Sequence, residues 1–443
     1  MLRLAVPVIV AELGWITMGI VDTVMVSSLG PAAIGAVGTG STVFMALMVF
    51  GIGALFALDT FVSQNFGAGR IDECHRWLFA GLHLAAALAV VLSLLAAGVV
   101  LALPHMGLHP DVLALIRPYI ATLIWSAIPL LAFAVFRRYL QAMNAVRPVM
   151  IALVTANLVN AGGNWVLIHG HWGMPAMGVT GSALATTVAR VYLAAFLFGV
   201  IWWRERERPS GLHDVPFAVD LTRLWRLVKL GAPAATQLVL EVGVFATASL
   251  LAGRLTPIAL AANQVVLNIA SFTFMIPLGI SSAAAVRVGQ AVGRRDPRGV
   301  RRAGWSALMI GAVLMTTCSL IYVTVPATLL GIFTTDATVL RVGTTVLMIY
   351  AAFQVFDAWQ VIATGALRGL GDTHTSMILS FVSHWLIGLP IAYILCFNRH
   401  WGVAGLWLGL SIGLTIVGLV LVAVWHAKTR VLKMTAEVVL RKT

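Results

Sequence analysis

Charge is scarce in this chain of 443 residues: Asp, Glu, Lys and Arg together make up 10% of it. A soluble protein carries about a quarter of its residues charged. Here 60% of residues are hydrophobic and the mean hydropathy is +0.96, more apolar surface than a water-soluble core of this length can hide. The chain is therefore an integral membrane protein. Cysteine is nearly absent, and Cys74, Cys318 and Cys396 stand far apart, which excludes a disulfide framework and any cysteine-based metal spacing. Neither GxxxxGK(S/T) nor HExxH occurs, so no P-loop nucleotide site or zincin-type centre is encoded. His169-Gly-His171 offers too few ligands for a metal site. Gly67-Ala-Gly69 has the look of a phosphate loop, but its counterpart Gly293-Arg-Arg reads as a turn between helices. A cleavable signal is not evident, because the first apolar run continues from Leu4 to about Ser27 without a short core and a small-residue cleavage site.

What is present is a series of apolar runs, each near the 20 or so residues a bilayer crossing needs. Twelve helices are predicted, near 4–27, 33–60, 78–103, 113–136, 148–168, 178–202, 230–254, 257–284, 304–331, 340–364, 376–397 and 402–426. With both termini cytoplasmic, 24 of the 29 Lys and Arg fall in inside segments, which include 61–77, 137–147, 203–229 and 285–303. That asymmetry is the positive-inside pattern. The net charge of +13 is thus topogenic rather than a sign of nucleic acid, with contact to anionic lipid as a side effect.

The polar stretch from Arg204 to Arg226, with Pro209, Gly211 and Pro216 among runs of charge, reads as a linker between related halves. At an offset of 226, Pro7 matches Pro233, Gly53 matches Gly279, and Gln64-Asn-Phe-Gly67 matches Gln290-Ala-Val-Gly293. Gly178-Val-Thr-Gly181 matches Gly402-Val-Ala-Gly405 at an offset of 224. The expected fold is all-α, with two parallel-repeat lobes of six transmembrane helices, 1–203 and 230–443, joined by 204–229. Six being even, the copies share one orientation, and alternating access by rocking lobes is the expected mechanism.

Acids inside such helices cost about 2.5–3.5 kcal/mol each at the centre of the bilayer and so call for a function or a partner. Glu241 lies 12 residues beyond Lys229, and Asp357 lies 11 residues before Arg368. At 1.5 Å per residue both stand about 17 Å above the inner surface, deep enough to serve one site. Gln237 shares a helix face with Glu241, and Gln354 and Gln360 flank Asp357. Asp22 is nearer the outer surface. Asn157, Asn160 and Asn164 form one stripe, and Gln264 and Asn268 a shorter one; both read as walls of a polar cavity. Glu12 and Asp59 have weaker claims, Asp59 because a place near the inner end of its helix would leave it solvated. Arg190 is either a buried counter-charge or a snorkelling side chain. The repeat does not copy the acids: Glu241 aligns with Trp15, and Asp22 with Ala248.

Taken together, these residues resemble a known family. Val21-Asp22-Thr23-Val-Met25, Gln64-Asn-Phe-Gly-Ala-Gly69 and Asn160-Ala-Gly-Gly-Asn164-Trp165 carry the likeness in the first half. Leu240-Glu241-Val242, Asn263-Gln-Val-Val-Leu-Asn268, Arg287-Val-Gly-Gln290, Phe356-Asp357-Ala358 and Leu367-Arg-Gly-Leu-Gly-Asp-Thr373 carry it in the second. The chain is similar throughout to the multidrug and toxic compound extrusion (MATE) transporters, in their NorM-like branch. The resemblance implies a secondary exporter, not an enzyme, that exchanges organic, often cationic aromatic compounds for H+ or Na+ in a bacterial-type inner or plasma membrane. It implies no prosthetic cofactor. It casts Asp22 as the proton-linked acid of the first lobe with Asn160 and Asn164 as partners, and Glu241 and Asp357 as the second-lobe pair for a proton or a sodium ion. Phe353 stands where some sodium-coupled relatives have tyrosine, a departure that bears on sodium. The chain is expected to act as a monomer on small molecules. The alternatives are a flippase for a lipid-linked saccharide, which calls for a basic cavity, an integral membrane enzyme, which calls for reactive groups in interfacial loops, and a passive channel.

Overall fold

The structure is a computed structural model that describes residues 2–440 apart from 106 and 108, with side chains described from residue 4 to residue 431. In order, the helices are α1 (Leu2–Val26), α2 (Pro31–Ala54), α3 (Ala57–Gly67), α4 (Ile71–Ala102), α5 (Pro110–Ile124), α6 (Ala127–Ala142), α7 (Val146–His169) and α8 (Gly178–Glu207). They continue with α9 (Leu221–Gly253), α10 (Pro257–Gly293), α11 (Pro297–Thr324), α12 (Pro326–Gly331), α13 (Ala337–Gly369), α14 (His374–Ser380), α15 (Leu389–Tyr393) and α16 (Gly402–Leu440). Wide π turns at Phe381–Gly388 and Ile394–Asn398 join α14 and α15 into one rod. No strand occurs among the described residues.

Eleven helical rods among the described residues are long and apolar enough to cross a bilayer, and the bent pair α5–α6 supplies a twelfth. The twelve predicted windows fall on these rods in order. The 48° bend between α5 and α6 has a cause in the sequence: Pro129 has no N–H to give the carbonyl of Trp125, so the helix breaks there. One boundary differs from expectation. Residues 137–142, placed in an inside loop by hydropathy, continue α6, with Arg137 and Arg138 buried in it.

The chain divides into two compact units, one of residues 10–235 and one of residues 1–9 with 236–443. In the first, α7 packs on α8, α2 on α5, and α6 on both α4 and α8. In the second, α13 packs on α10, α11 and α16. Its core holds Tyr322, Tyr350 and Trp407 in one cluster and Val244, Leu406 and Leu410 in another. The unit boundaries fall inside α1 and α9. Each helix begins in one unit and continues in the other.

The internal repeat has a packing basis. Lipid tails are as apolar as leucine, so helices in a bilayer associate through close van der Waals contact, which small residues permit. A Cβ at Gly181 would lie 2.5 Å from the Leu167 carbonyl oxygen, and one at Gly405 would lie 2.7 Å from the Leu395 carbonyl carbon. The matched pair Gly53 and Gly279 behaves likewise. A Cβ there would lie 2.7 Å from Cα of Ala235 and 2.9 Å from the backbone nitrogen of Ile9 respectively, residues that are themselves related by the offset of 226. What the two halves share is backbone contact.

Gly181→Ala and Gly405→Ala should each destabilise the protein by about 1–3 kcal/mol through overpacking, visible as a lower unfolding temperature in detergent. Gly199→Ala, where the added Cβ meets nothing within 4 Å, should leave that temperature unchanged or slightly raised.

Candidate functional site

In the unit of residues 10–235, α1 turns Asp22 inward, where it is only 6% exposed. The asparagine stripe on α7 supplies donors. Asn160 Nδ2 and Asn164 Nδ2 both donate to Asp22 Oδ1, at 2.9 and 2.7 Å, and Thr186 Oγ1 on α8 donates to Oδ2 at 2.8 Å. Asn164 also donates to Asn160 Oδ1 at 3.3 Å. A carboxylate with three donors and no cation bonded to it is an acceptor-only centre, and each such charge-assisted bond is worth about 1.5–3 kcal/mol. Asn157, the third member of the stripe, is elsewhere: it is half-buried and donates to the carbonyls of Gly14 and Leu153 at 2.9 and 2.8 Å.

Arg190 lies one turn beyond Thr186 on α8, so the two side chains share a face. It does not snorkel. It is 6% exposed, its guanidinium is 5.1 Å from the centre of the Phe44 ring, and it donates to Ser126 Oγ and Met45 Sδ. Its Nε has no acceptor among the described residues. Tyr119, buried on α5, is close enough to feel the charge of both Asp22 and Arg190.

In the unit holding residues 236–443, Glu241 is half-buried on α9. Its Oε1 accepts from Gln237 Nε2 at 3.0 Å, from Ser380 Oγ at 3.4 Å and from Gln360 Nε2. Gln237 also reaches Thr364 Oγ1 at 3.2 Å. Asp357 is buried on α13, where Tyr350 Oη donates to its Oδ2 at 3.2 Å. Gln360 belongs to the helix of Asp357 yet bonds Glu241, and Asp357 lies within electrostatic reach of Glu241. Gln354 points instead toward Thr273, at 3.5 Å, beside Tyr322. Phe353 is half-buried one turn before Asp357. Gln264 and Asn268 are exposed, whereas their neighbour Asn263 is buried between Ser249 and Trp407.

The two weaker acids have structural partners. Glu12 is buried against Arg137, and Asp59 against Arg138 at 3.1 Å, with Arg138 also 4.1 Å from the centre of the Phe56 ring. The solvated position expected for Asp59 is therefore corrected: it is fully buried, and its ion pair offsets the desolvation.

Sequence reading missed Thr186, Tyr350, Ser380 and Thr364. Tyr350 was within reach, since a tyrosine seven residues before an acid shares its helix face. The hydroxyls were not, because Ser and Thr are frequent in membrane helices as helix–helix glue.

Comparison with known proteins finds relatives along nearly the whole chain. The MatE family profile matches residues 7–166 and again 233–394. A probable multidrug resistance protein NorM of Bradyrhizobium diazoefficiens is 34% identical over 424 residues, 93% of this chain and 89% of its own length. The multidrug resistance protein NorM of Burkholderia vietnamiensis is 34% identical over 437 residues, covering 96% of this chain and 93% of its own. The multidrug resistance protein MdtK of Pectobacterium atrosepticum is 33% identical over 429 residues, covering 95% and 93%. Among solved structures, the eukaryotic MATE transporter AtDTX14 superposes with a TM-score of 0.85 at 20% identity, over 98% of this chain and 97% of its own.

The buried pair predicts a thermodynamic cycle. Arg138→Met alone strands Asp59 and should destabilise the protein by about 3–5 kcal/mol, whereas Asp59→Leu combined with Arg138→Met should recover most of that loss. Unfolding of Arg138→Met, Asp59→Leu and the double variant in detergent measures it, and equal losses in Arg138→Met and the double variant would contradict the pairing.

Proposed function

The chain belongs to the MatE family of multidrug and toxic compound extrusion transporters, and on that premise we propose that it is a secondary active multidrug efflux transporter, exchanging lipophilic organic compounds for H+ or Na+. Its place is a bacterial inner or plasma membrane with both termini cytoplasmic. It works as a monomer. The halves 1–203 and 230–443, tied by the linker 204–229, are the bodies that alternate access. The chain is a transporter and not an enzyme.

The observation that carries this reading is Asp22 under three neutral donors. Protonation turns an acceptor into a donor. A proton on Oδ1 would face the N–H groups of Asn160 and Asn164, and one on Oδ2 would require the Thr186 hydroxyl to turn and accept it; either way the bonds that hold Asp22 between α7 and α8 lose their charge assistance. Loading one proton is thereby expressed as a change in how α1 packs, a two-state element of the kind that alternating access needs. Arg190, one turn away, is the fixed counter-charge.

Glu241 and Asp357 form the second coupling site, with Gln237, Gln360 and Ser380 donating to Glu241 and Tyr350 to Asp357. A coupling cation and a cationic substrate compete for the same negative charge, and the resulting linkage is reciprocal: each weakens the other's binding by the same factor. Asn157, Gln264, Asn268 and Phe353 are assigned to the cavity walls that meet substrate, whereas Gln354 is buried against Thr273.

Ethidium efflux from proteoliposomes under imposed proton or sodium gradients tests the proposal. Asp22→Asn, Glu241→Gln and Asp357→Asn should each lose at least tenfold in gradient-driven efflux while remaining folded. Arg190→Gln should lose several-fold, with Arg190→Lys retaining most activity. Parental rates in all three acid variants would remove the coupling assignment, and indifference to both gradients would remove the antiport itself.

A further inference from the structure

A groove of about 540 Å³ opens at the end of the first half where α8 runs out into the linker. It lies away from Asp22 and serves no step described so far. Its walls are Leu140 and Met143 from the end of α6, Ile151 from the start of α7, and Phe196 and Val200 from α8. Arg204 and Arg208 close its polar end.

The floor at that end is polar and internally satisfied. Tyr139 Oη and His75 Nδ1 are 2.8 Å apart, and Ser210 Oγ is 3.0 Å from His75 Nε2. Glu205 is buried and accepts from the backbone N–H groups of Ser210, Gly211 and Leu212 at 2.9, 3.0 and 3.0 Å, and from Ser210 Oγ. Its lone pairs are used in folding the linker back, so it stays below the rim. The rim is different. Arg204 and Arg208 are exposed and neither joins an ion pair among the described residues. Arg147, exposed as well, precedes the lining residue Pro148, and the exposed Glu207 is the acid that opposes them.

The apolar side continues beyond the groove. Ile151, Val154 and Leu158, spaced i, i+3 and i+7 on α7, are 47%, 48% and 72% exposed, a stripe of one helix face on a helix long enough to span the bilayer. Trp202 and Trp203 stand exposed at the basic end, where amphipathic rings mark the headgroup level. An occupant must therefore combine a long apolar body running along α7 with a negative group at the guanidinium end.

We propose that this groove is a binding site for one anionic diacyl phospholipid, its acyl chains along Ile151, Val154 and Leu158 and its phosphate between Arg204 and Arg208. A zwitterionic headgroup would bring a cation against the arginine rim and bind more weakly. A soluble phosphate would gain nothing from the apolar wall.

Native mass spectrometry of the full chain, delipidated and titrated with phosphatidylglycerol or phosphatidylcholine, tests this without reference to transport, so its outcome is separable from that of the efflux proposal. The parent should retain one phosphatidylglycerol at a concentration at least tenfold below that needed for phosphatidylcholine. Removing two basic contacts near a membrane surface should weaken that binding roughly tenfold or more in Arg204→Gln/Arg208→Gln. Ile151→Trp, which fills the apolar wall and leaves the charge unchanged, should weaken it too, with the unfolding temperature of both variants checked against the parent. Equal affinity for the two lipids would overturn the proposal, as would full retention in both variants. Displacement of the lipid by an equal concentration of glycerol 3-phosphate would mark a plain anion site, and occupancy by ethidium or by a second copy of the chain in place of lipid would mark a different surface; either overturns it.

Discussion

A charge carried into a bilayer must be met there, by an opposite charge or by enough donors to stand in for water. Nearly every structural choice in this chain follows from that demand. Glu12 and Asp59 meet Arg137 and Arg138 directly. Asp22 meets three donors and no cation bonded to it, and Glu241 meets two amides and a hydroxyl. The difference sorts the acids by purpose. A carboxylate locked in an ion pair has little reason to change state, whereas one held by neutral groups can exchange a proton or a metal cation for part of its hydrogen bonding. Paired acids hold the fold, and under the proposed function the acids held by neutral groups carry the coupling.

The duplicated architecture follows the same division. Backbone contacts at Gly53 and Gly279, and at Gly181 and Gly405, occur in both halves because they depend on having no side chain at all. Ion chemistry depends on side chains, and these diverged: Asp22 matches an alanine and Glu241 a tryptophan. A scaffold whose helices touch through glycine can change its titratable groups without losing its packing.

Much of this was legible beforehand. Hydropathy located the spans, because that signal is carried by many residues at once. Spacing on a single helix put Asn160 and Asn164 on one stripe, and both reach Asp22. It could not tell that Asn157 on the same stripe bonds Gly14 instead, since a stripe about 100° wide spans more than one neighbour. Nor could it pair Gln360 with Glu241 rather than with Asp357 on its own helix, a matter of which way helices face. Arg137 and Arg138 misled the hydropathy reading for a physical reason: tandem arginines look like an anchor in water unless their acids, 125 and 79 residues earlier, are known to be waiting.

That separation has a consequence for how the protein is made. Glu12 in α1 and Asp59 in α3 leave the ribosome well before α6. Two arginines entering a bilayer unaided would oppose the insertion of their segment by several kcal/mol. In this order of synthesis both acids precede the arginines in the chain, so a partner for each guanidinium has already been made when α6 emerges. Exchanging acid and base within either pair would preserve the bridge in the finished fold and alter the charge of the segment that must enter first.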